Sequence, residues 1–376
     1  MKFLHTGDWH IGKKLNGYDL LEEQQDVFRQ LMAVAEKEQV DAIVIAGDLY
    51  DRSVPSVEAV EVFNWMMREM NIEKKYPVLA ISGNHDSSTR LETGGPWYEP
   101  LRFHLHTRLE QGLAPVEIDD TQFFLLPYFE PFAARRYFED DSLKTIQQAV
   151  AAAVAEMEKR FDPHKKQVLV SHFFIAGSTT TDSETKVTVG GLDVVPLSLL
   201  ENFDYVALGH LHNRHALHSD NVRYSGSLLK YSLSEVNQEK GVWVVELTDT
   251  ETNMEFFPVT PMRDVKVLEE SFDTLMTPSF YSEINREDYI GIRLTNKEVI
   301  PNVMNQLRSV YPRIIQLERA HGRTAQELNV LASSDLQKKD PLTLFADFFE
   351  TAVEQPLTIQ QKSWLEEEYM TLEKEG

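Results

Sequence analysis

The sequence predicts a layered α/β fold with a mixed sheet or sandwich. Three observations predict it. Short apolar, β-rich runs alternate with stretches of helical period over residues 1–260. Each of five such runs stops at a cluster of Gly, Asp, Asn, Ser or His. Short β segments at 222–224, 242–247 and 254–257 then follow one another, which suits added strands in a mixed sheet.

The first run begins at Phe3-Leu4 and ends by Asp8. Leu20, Leu21, Val27, Phe28, Leu31, Met32 and Ala35 next recur near helical period, predicting a helix from Asp19 to Glu38. Asp41 to Ala46 is a buried-type strand stopped by Gly47, and Pro77 to Ile81 is another, stopped by Ser82-Gly83. Between them Ser56, preceded by Pro55, is the expected N-cap of a helix reaching Met70. An Ala-rich helix is expected over Ser142 to Phe161, with strands over 167–171 and 204–208. Pro258 and Pro261 mark a boundary. Beyond it, a strand at 289–294, a helix at 299–311 and a strand at 313–317 make a small α+β domain over residues 261–325. A polar linker is expected at 326–340. Residues 341–376 form an acidic, amphipathic stretch in which Leu342, Phe345, Phe348, Phe349 and Val353 fall at helical spacing. It reads either as a helical pair on the main body or as a partner-docking segment.

Composition narrows the chemistry. The 376 residues include no cysteine, so any metal must be held by nitrogen and oxygen, and thiolate catalysis is excluded. No run approaches the roughly 18 apolar residues of a membrane span, and the opening residues lack an export-type apolar core, so a cytoplasmic protein is expected. A net charge of -23 argues against unaided, tight grip on DNA. A phosphodiester substrate stays open, because bound cations reverse the local field, and a partner is then expected to supply basic surface. The chain contains no Gly-x-x-x-x-Gly-Lys-Ser/Thr motif, so ATP use would fall to a partner.

The strand ends carry the candidate chemistry: Asp8-Trp9-His10, Gly47-Asp48-Leu49-Tyr50-Asp51, Gly83-Asn84-His85-Asp86, Ser171-His172 and Gly209-His210-Leu211-His212. Ligands of open α/β sheets bind beyond the strand carboxyl ends. Convergence of the five would gather Asp8, His10, Asp48, Asn84, His172, His210 and His212. Mixed nitrogen and oxygen donors suit Mn²⁺, Fe²⁺ or Zn²⁺ over Ca²⁺ or an all-oxygen Mg²⁺ site. One aspartate can bridge two cations, and two such ions roughly 3.5–4 Å apart clamp a phosphate for in-line attack. Taken singly, Asp-x-His or Gly-Asp is ordinary turn chemistry. The argument lies in five clusters at five strand ends.

Those motifs, with FLHTGDWHIGK, VIAGDLYDRSVPS, ISGNHDSS, FDYVALGHLH and YSGSLLKYSLSE, resemble the calcineurin-like metallophosphoesterase superfamily, and within it the SbcD nuclease-subunit family. The resemblance is strong over residues 1–260 and rests on layout beyond. It implies an α/β metallophosphoesterase β-sandwich flanked by helices, a small α+β capping domain and C-terminal helices that dock on an SbcC-like SMC ATPase. It implies Mn²⁺ more than Mg²⁺, a DNA substrate cut by double-strand exonuclease and single-strand endonuclease action, and a homodimer within a heterotetramer in the cytoplasm, at the nucleoid. The dimer would form through helices near 56–70 and 87–103, whose apolar residues, such as Val60, Phe63, Trp65 and Met66, read equally as intramolecular core. One metal would be held by Asp8, His10, Asp48 and His212. The second would share Asp48 and add Asn84, His172 and His210. His85 would be the general acid, oriented by Asp86, and Asp51 would support its loop. Asn213-Arg214-His215 departs from the family pattern and bears on substrate contacts. Lys13, Lys14, Arg52, Arg90 and Lys230 are candidates for phosphate contact, with plain surface solvation the favoured reading for most of them, while Trp9 and Tyr231 either stack or pack. Two alternatives remain: another metal-dependent phosphatase or phosphodiesterase on this site, or a mainly DNA-tethering subunit.

Overall fold

The computed structural model describes residues 1–182, 184, 194–296, 298, 300–320, 342, 345, 346, 349, 357, 358, 360–362, 364 and 365. The expected linker at 326–340 and most of the expected C-terminal helices lie outside these residues.

Two sheets make the body. The first has the order β13 (Thr252–Pro258), β12 (Gly241–Leu247), β1 (Lys2–Thr6), β4 (Ala42–Ala46), β5 (Val78–Ile81) and β6 (Phe103–His106). Strands β1, β4, β5 and β6 run parallel, and β12 and β13 are added antiparallel. The second has the order β11 (Val222–Tyr224), β10 (Tyr205–Leu208), β9 (Lys166–Ser171), β8 (Thr121–Leu125) and β7 (Val116–Ile118), parallel except for β7. A two-stranded ribbon joins β2 (Lys14–Leu15) to β3 (Tyr18–Asp19). The expected sandwich of a mixed sheet is therefore present.

Side-chain alternation explains the layers. Successive strand residues face opposite sides. Phe3, Ala42, Val44, Ala46, Leu79 and Ile81 of the first sheet meet Phe123, Leu125, Val168, Val170, Tyr205 and Ala207 of the second in one core. Leu4, Ile43 and Ile45 point the other way, into a core with Val27, Phe28 and Leu31 of the helix Leu21–Glu38. On the far side Val206 and Leu169 pack on Ala149, Val150 and Ala153 of the helix Ile146–Glu158. Each fully buried Phe, Leu or Val contributes roughly 1.5–3 kcal/mol.

Caps set the helix ends. Ser56 accepts the Ala59 N–H at 3.2 Å, as expected, and the helix Val57–Met67 then widens into a π-turn over Arg68–Glu73. The Ala-rich helix starts later than expected, because Thr145 and Gln148 form a capping box while Ser142 sits in the preceding turn. Residues 87–103 hold only short turns, Ser88–Leu91, Gly95–Tyr98 and Glu99–Leu101, ahead of β6.

The chain divides into two compact units, Met1–Leu268 with Asp273–Ile292 and Asn302–Leu317, and Glu269–Phe272 with Arg293–Pro301 and Glu318–Gly376. A three-stranded sheet, β14 (Val265–Glu270), β15 (Tyr289–Leu294) and β16 (Ile314–Arg319), carries the expected small α+β element order. Its helix spans only Val303–Arg308, shorter than the expected 299–311, because Pro301 and the left-handed Asn302 precede it.

Candidate metal centre

Parallel strands place their carboxyl ends on one edge, and five loops leave that edge. The loop after β1 is pinned to the loop after β4: Asp8 N–H donates to the Gly47 carbonyl at 3.1 Å, His10 N–H to Asp48 at 2.9 Å and Ile11 N–H to Leu49 at 3.0 Å. The second sheet joins through His210, whose N–H donates to Asp8 Oδ1 at 2.8 Å, and His172, whose Nδ1 lies 2.8 Å from the Ala46 carbonyl.

Four of the seven candidate ligands adopt the left-handed backbone region: Asp8 (φ 50°), His10 (φ 45°), Asp48 (φ 49°) and His210 (φ 92°). Non-glycine residues there cost free energy and gather at functional sites. Gly47 is at φ 90°, and a Cβ on it would collide with His172 Nδ1. Gly83 is needed for close approach: a Cβ there would strike the carboxylate and backbone of Asp48.

All seven candidates meet. His10 Nε2 is 3.1 Å from His212 Nε2, and these two with Asp8 form one donor cluster within 4.8 Å. Asp8, Asp48 and His172 form another. Asn84 Oδ1 lies 3.0 Å from His172 Nε2 and 3.0 Å from His210 Nδ1. Asp48 Oδ2 sits between the groups, 3.2 Å from His172 Nε2 and 3.6 Å from His10 Nε2.

The charges call for a cation. Asp8 Oδ2 and His10 Nδ1 are buried without a hydrogen-bond partner, and such atoms are costly unless something pairs them. Burial lifts the Asp8 carboxyl to about 6, against the pull of His172 and His212. Burial also pushes His210 down to about 3, helped by His172. Burial opposes charge on His172 as well, yet the Asp48 carboxylate raises it to about 9. A proton on His172 thus answers Asp48. A divalent cation among neutral imidazoles would answer the same charge and pair the orphaned Asp8 oxygen, so the donor set fits such ions.

His85 is half-buried, and its ring packs edge-on against His10 at 4.7 Å. Its Nδ1 lies 2.9 Å from the Asp51 carbonyl and its N–H donates to Asp48 Oδ1 at 2.9 Å. Asp86 is the residue expected to orient this ring. Asp86 spends its carboxylate on backbone: Oδ2 accepts from Leu49 at 3.0 Å and Gly83 at 2.9 Å, and Oδ1 from Tyr50 at 2.9 Å. It ties two loops together.

Trp9 and Tyr231 pack: Trp9 is in the core against Phe28, and the Tyr231 hydroxyl donates to the Trp9 carbonyl at 2.6 Å. Lys13 pairs with Asp51 at 2.7 Å and Lys230 with Asp264 at 2.9 Å, while Lys14, Arg52 and Arg90 are exposed. Arg214 lies on the Phe256 ring at 3.6 Å and pairs with Glu239 at 2.6 Å. Sequence reasoning missed Gln24, which donates to the Trp9 and His10 carbonyls at 3.0 and 2.8 Å. It also missed Glu235 and Lys240, buried behind His212. Glu235 closes the YSGSLLKYSLSE segment, but nothing in its spacing marks a role.

The sandwich and its strand-end donor cluster define a metallophosphoesterase. Residues 1–214 match the model for calcineurin-like phosphoesterases, and residues 261–352 match one described as the type 5 capsule protein repressor C-terminal domain. The SbcD subunit of the SbcCD nuclease from Staphylococcus epidermidis is 37% identical over 359 residues, covering 95% of each chain. The chain belongs to this SbcD family of nuclease subunits. Among solved structures, a dimetal phosphatase from Danio rerio overlaps 68% of this chain and 95% of its own, at 12% identity and a TM-score of 0.41. Among the described residues no helix is long and apolar enough to cross a membrane.

Proposed function

We propose that the chain is a Mn²⁺-dependent DNA nuclease subunit working with an SbcC-like SMC ATPase. The observation that carries the reading is the position of Asp48 Oδ2 between His172 and His10. On this reading Asp8, His10, Asp48 and His212 hold one cation, and Asp48, Asn84, His172 and His210 hold the other. When bound, such a pair offsets phosphate charge and lowers the pKa of a water. Its nitrogen-rich donor set favours Mn²⁺ over Mg²⁺.

The chain's own residues do the rest. Asp48 sets the His85 backbone through its N–H, and the Asp51 carbonyl fixes the ring through Nδ1. That leaves His85 Nε2 as the atom to hand a proton to the leaving sugar oxygen. Asp86 acts through loop geometry. The acidic surface, net -23, suits a subunit whose DNA grip is shared with a partner. The capping domain at 261–325 helps place DNA, and the helices at 341–376 dock on the ATPase. A homodimer in a heterotetramer, in the cytoplasm at the nucleoid, completes the reading.

The test is DNA cleavage with and without Mn²⁺. His85→Leu is expected to keep Mn²⁺ and lose cleavage of duplex ends. Cutting at wild-type rate by that variant would remove His85 from the role.

A further inference from the structure

We propose that Glu235, backed by Lys240, is a positioning residue that fixes His212 as a donor and makes the two cation positions unequal in affinity. The inference rests on the dinuclear reading above and extends it to residues outside the donor set.

Glu235 is buried, with Oε1 3.4 Å from His212 Nδ1. Its other oxygen lies 2.5 Å from Lys240 Nζ and 3.5 Å from Ser227 Oγ. Lys240 is buried too, and its ammonium donates to the His212 carbonyl at 2.9 Å, Ser227 Oγ at 2.9 Å and Gln238 Oε1 at 2.7 Å. The pair therefore grips His212 at both ring and backbone. A buried ion pair is weak as a source of stability, because desolvation offsets attraction. Its geometry serves orientation. A carboxylate behind Nδ1 fixes the proton there, turns the Nε2 lone pair toward His10 Nε2 at 3.1 Å and makes that nitrogen a stronger donor.

At the second position His172 is backed differently. His172 Nδ1 faces the Ala46 carbonyl at 2.8 Å, a neutral acceptor. His10 Nδ1 makes no hydrogen bond; Asp51 Oδ1 is 3.8 Å from it and is paired with Lys13 at 2.7 Å. At one position His212 thus has a carboxylate and a lysine in line behind it, and at the other His172 has a peptide carbonyl. The first position holds its cation more tightly.

The test titrates Mn²⁺ into the metal-free full chain, followed by calorimetry and by electron paramagnetic resonance. Wild type is expected to show two classes of ion. Glu235→Gln is expected to weaken the tighter class about tenfold or more and leave the other unchanged. Because that variant strands the Lys240 charge, Glu235→Gln with Lys240→Met is tested beside it. The double variant is expected to show the same selective loss, with a thermal midpoint in chelator close to wild type. A purely structural role would weaken both classes alike, and that result, or unchanged binding, overturns the proposal. Failure of wild type itself to take up Mn²⁺ would overturn the dinuclear reading and this one with it. Two-ion binding in wild type with an unaltered Glu235→Gln titration overturns this one alone.

Discussion

Asp86 Oδ1 accepts the backbone N–H of Tyr50 at 2.9 Å, a contact between two loops from different strands. The same carboxylate takes the N–H groups of Leu49 and Gly83. Replacing Asp86 with Ala strands three donors. The expected loss is about 1–3 kcal/mol for each one left unpaired in the interior. Urea unfolding in chelator measures it, and the Asp48 loop shift should also weaken Mn²⁺ uptake. Unchanged stability would show that the loops need no such tie.

Gly47→Ala tests the close approach at the second strand end. The new Cβ meets His172 Nδ1 in a backbone region that L residues rarely adopt. A stability loss above about 1 kcal/mol is expected, together with weaker Mn²⁺ binding. A denaturant midpoint equal to wild type would contradict the account.

His5 offers a pH test away from the donor set. It is buried, with Nδ1 2.9 Å from the Tyr205 hydroxyl and Nε2 3.2 Å from the Leu208 carbonyl. Burial pushes it down from 6.5 to about 3, against the Leu208 carbonyl. The unfolded chain therefore takes up a proton near pH 6.5 that the folded chain refuses until about 3. Stability falls as pH drops through that window, by up to about 1.4 kcal/mol per pH unit for this group. His5→Gln should flatten the slope, read as the difference between the two proteins' unfolding curves. Parallel curves would refute it.

Cation binding should appear as stability. If the orphaned Asp8 Oδ2 is satisfied by an ion, Mn²⁺ at a hundred times its dissociation constant adds about 2.7 kcal/mol. The thermal midpoint should rise with Mn²⁺ and fall with chelator. Asp48→Asn should lose most of that response, since it removes the charge between His10 and His172.

Much of this architecture was legible in the sequence, for physical reasons. Ala42–Ala46 is apolar on both faces because its strand lies between a helix layer and a second sheet. His172 follows its strand directly, and Asp8 and Asp48 follow theirs after one glycine, so their positions were readable from where the apolar runs stop. Strand β6 was missed because Phe103-His104-Leu105-His106 is half polar, as suits a sheet edge. Strand β7 was missed because three residues after Pro115 carry little signal, and the left-handed Asp119 that turns it into β8 is a backbone property. The left-handed state of Asp8 and His10 was hidden for the same reason. Lys240 meets His212 from 28 positions along the chain, and no local pattern encodes that meeting.

The two sheets contribute unequally to one edge: three loops come from the first and two from the second. Ions held there would act as rivets through both plates. Any shear between the plates, resisted by Phe3 against Phe123 and Tyr205 at 5.4 and 5.7 Å, would pull the rivet holes out of register. Trimming Phe3 should then behave like damage to the chemistry itself, with cleavage failing at temperatures where the helices are still intact.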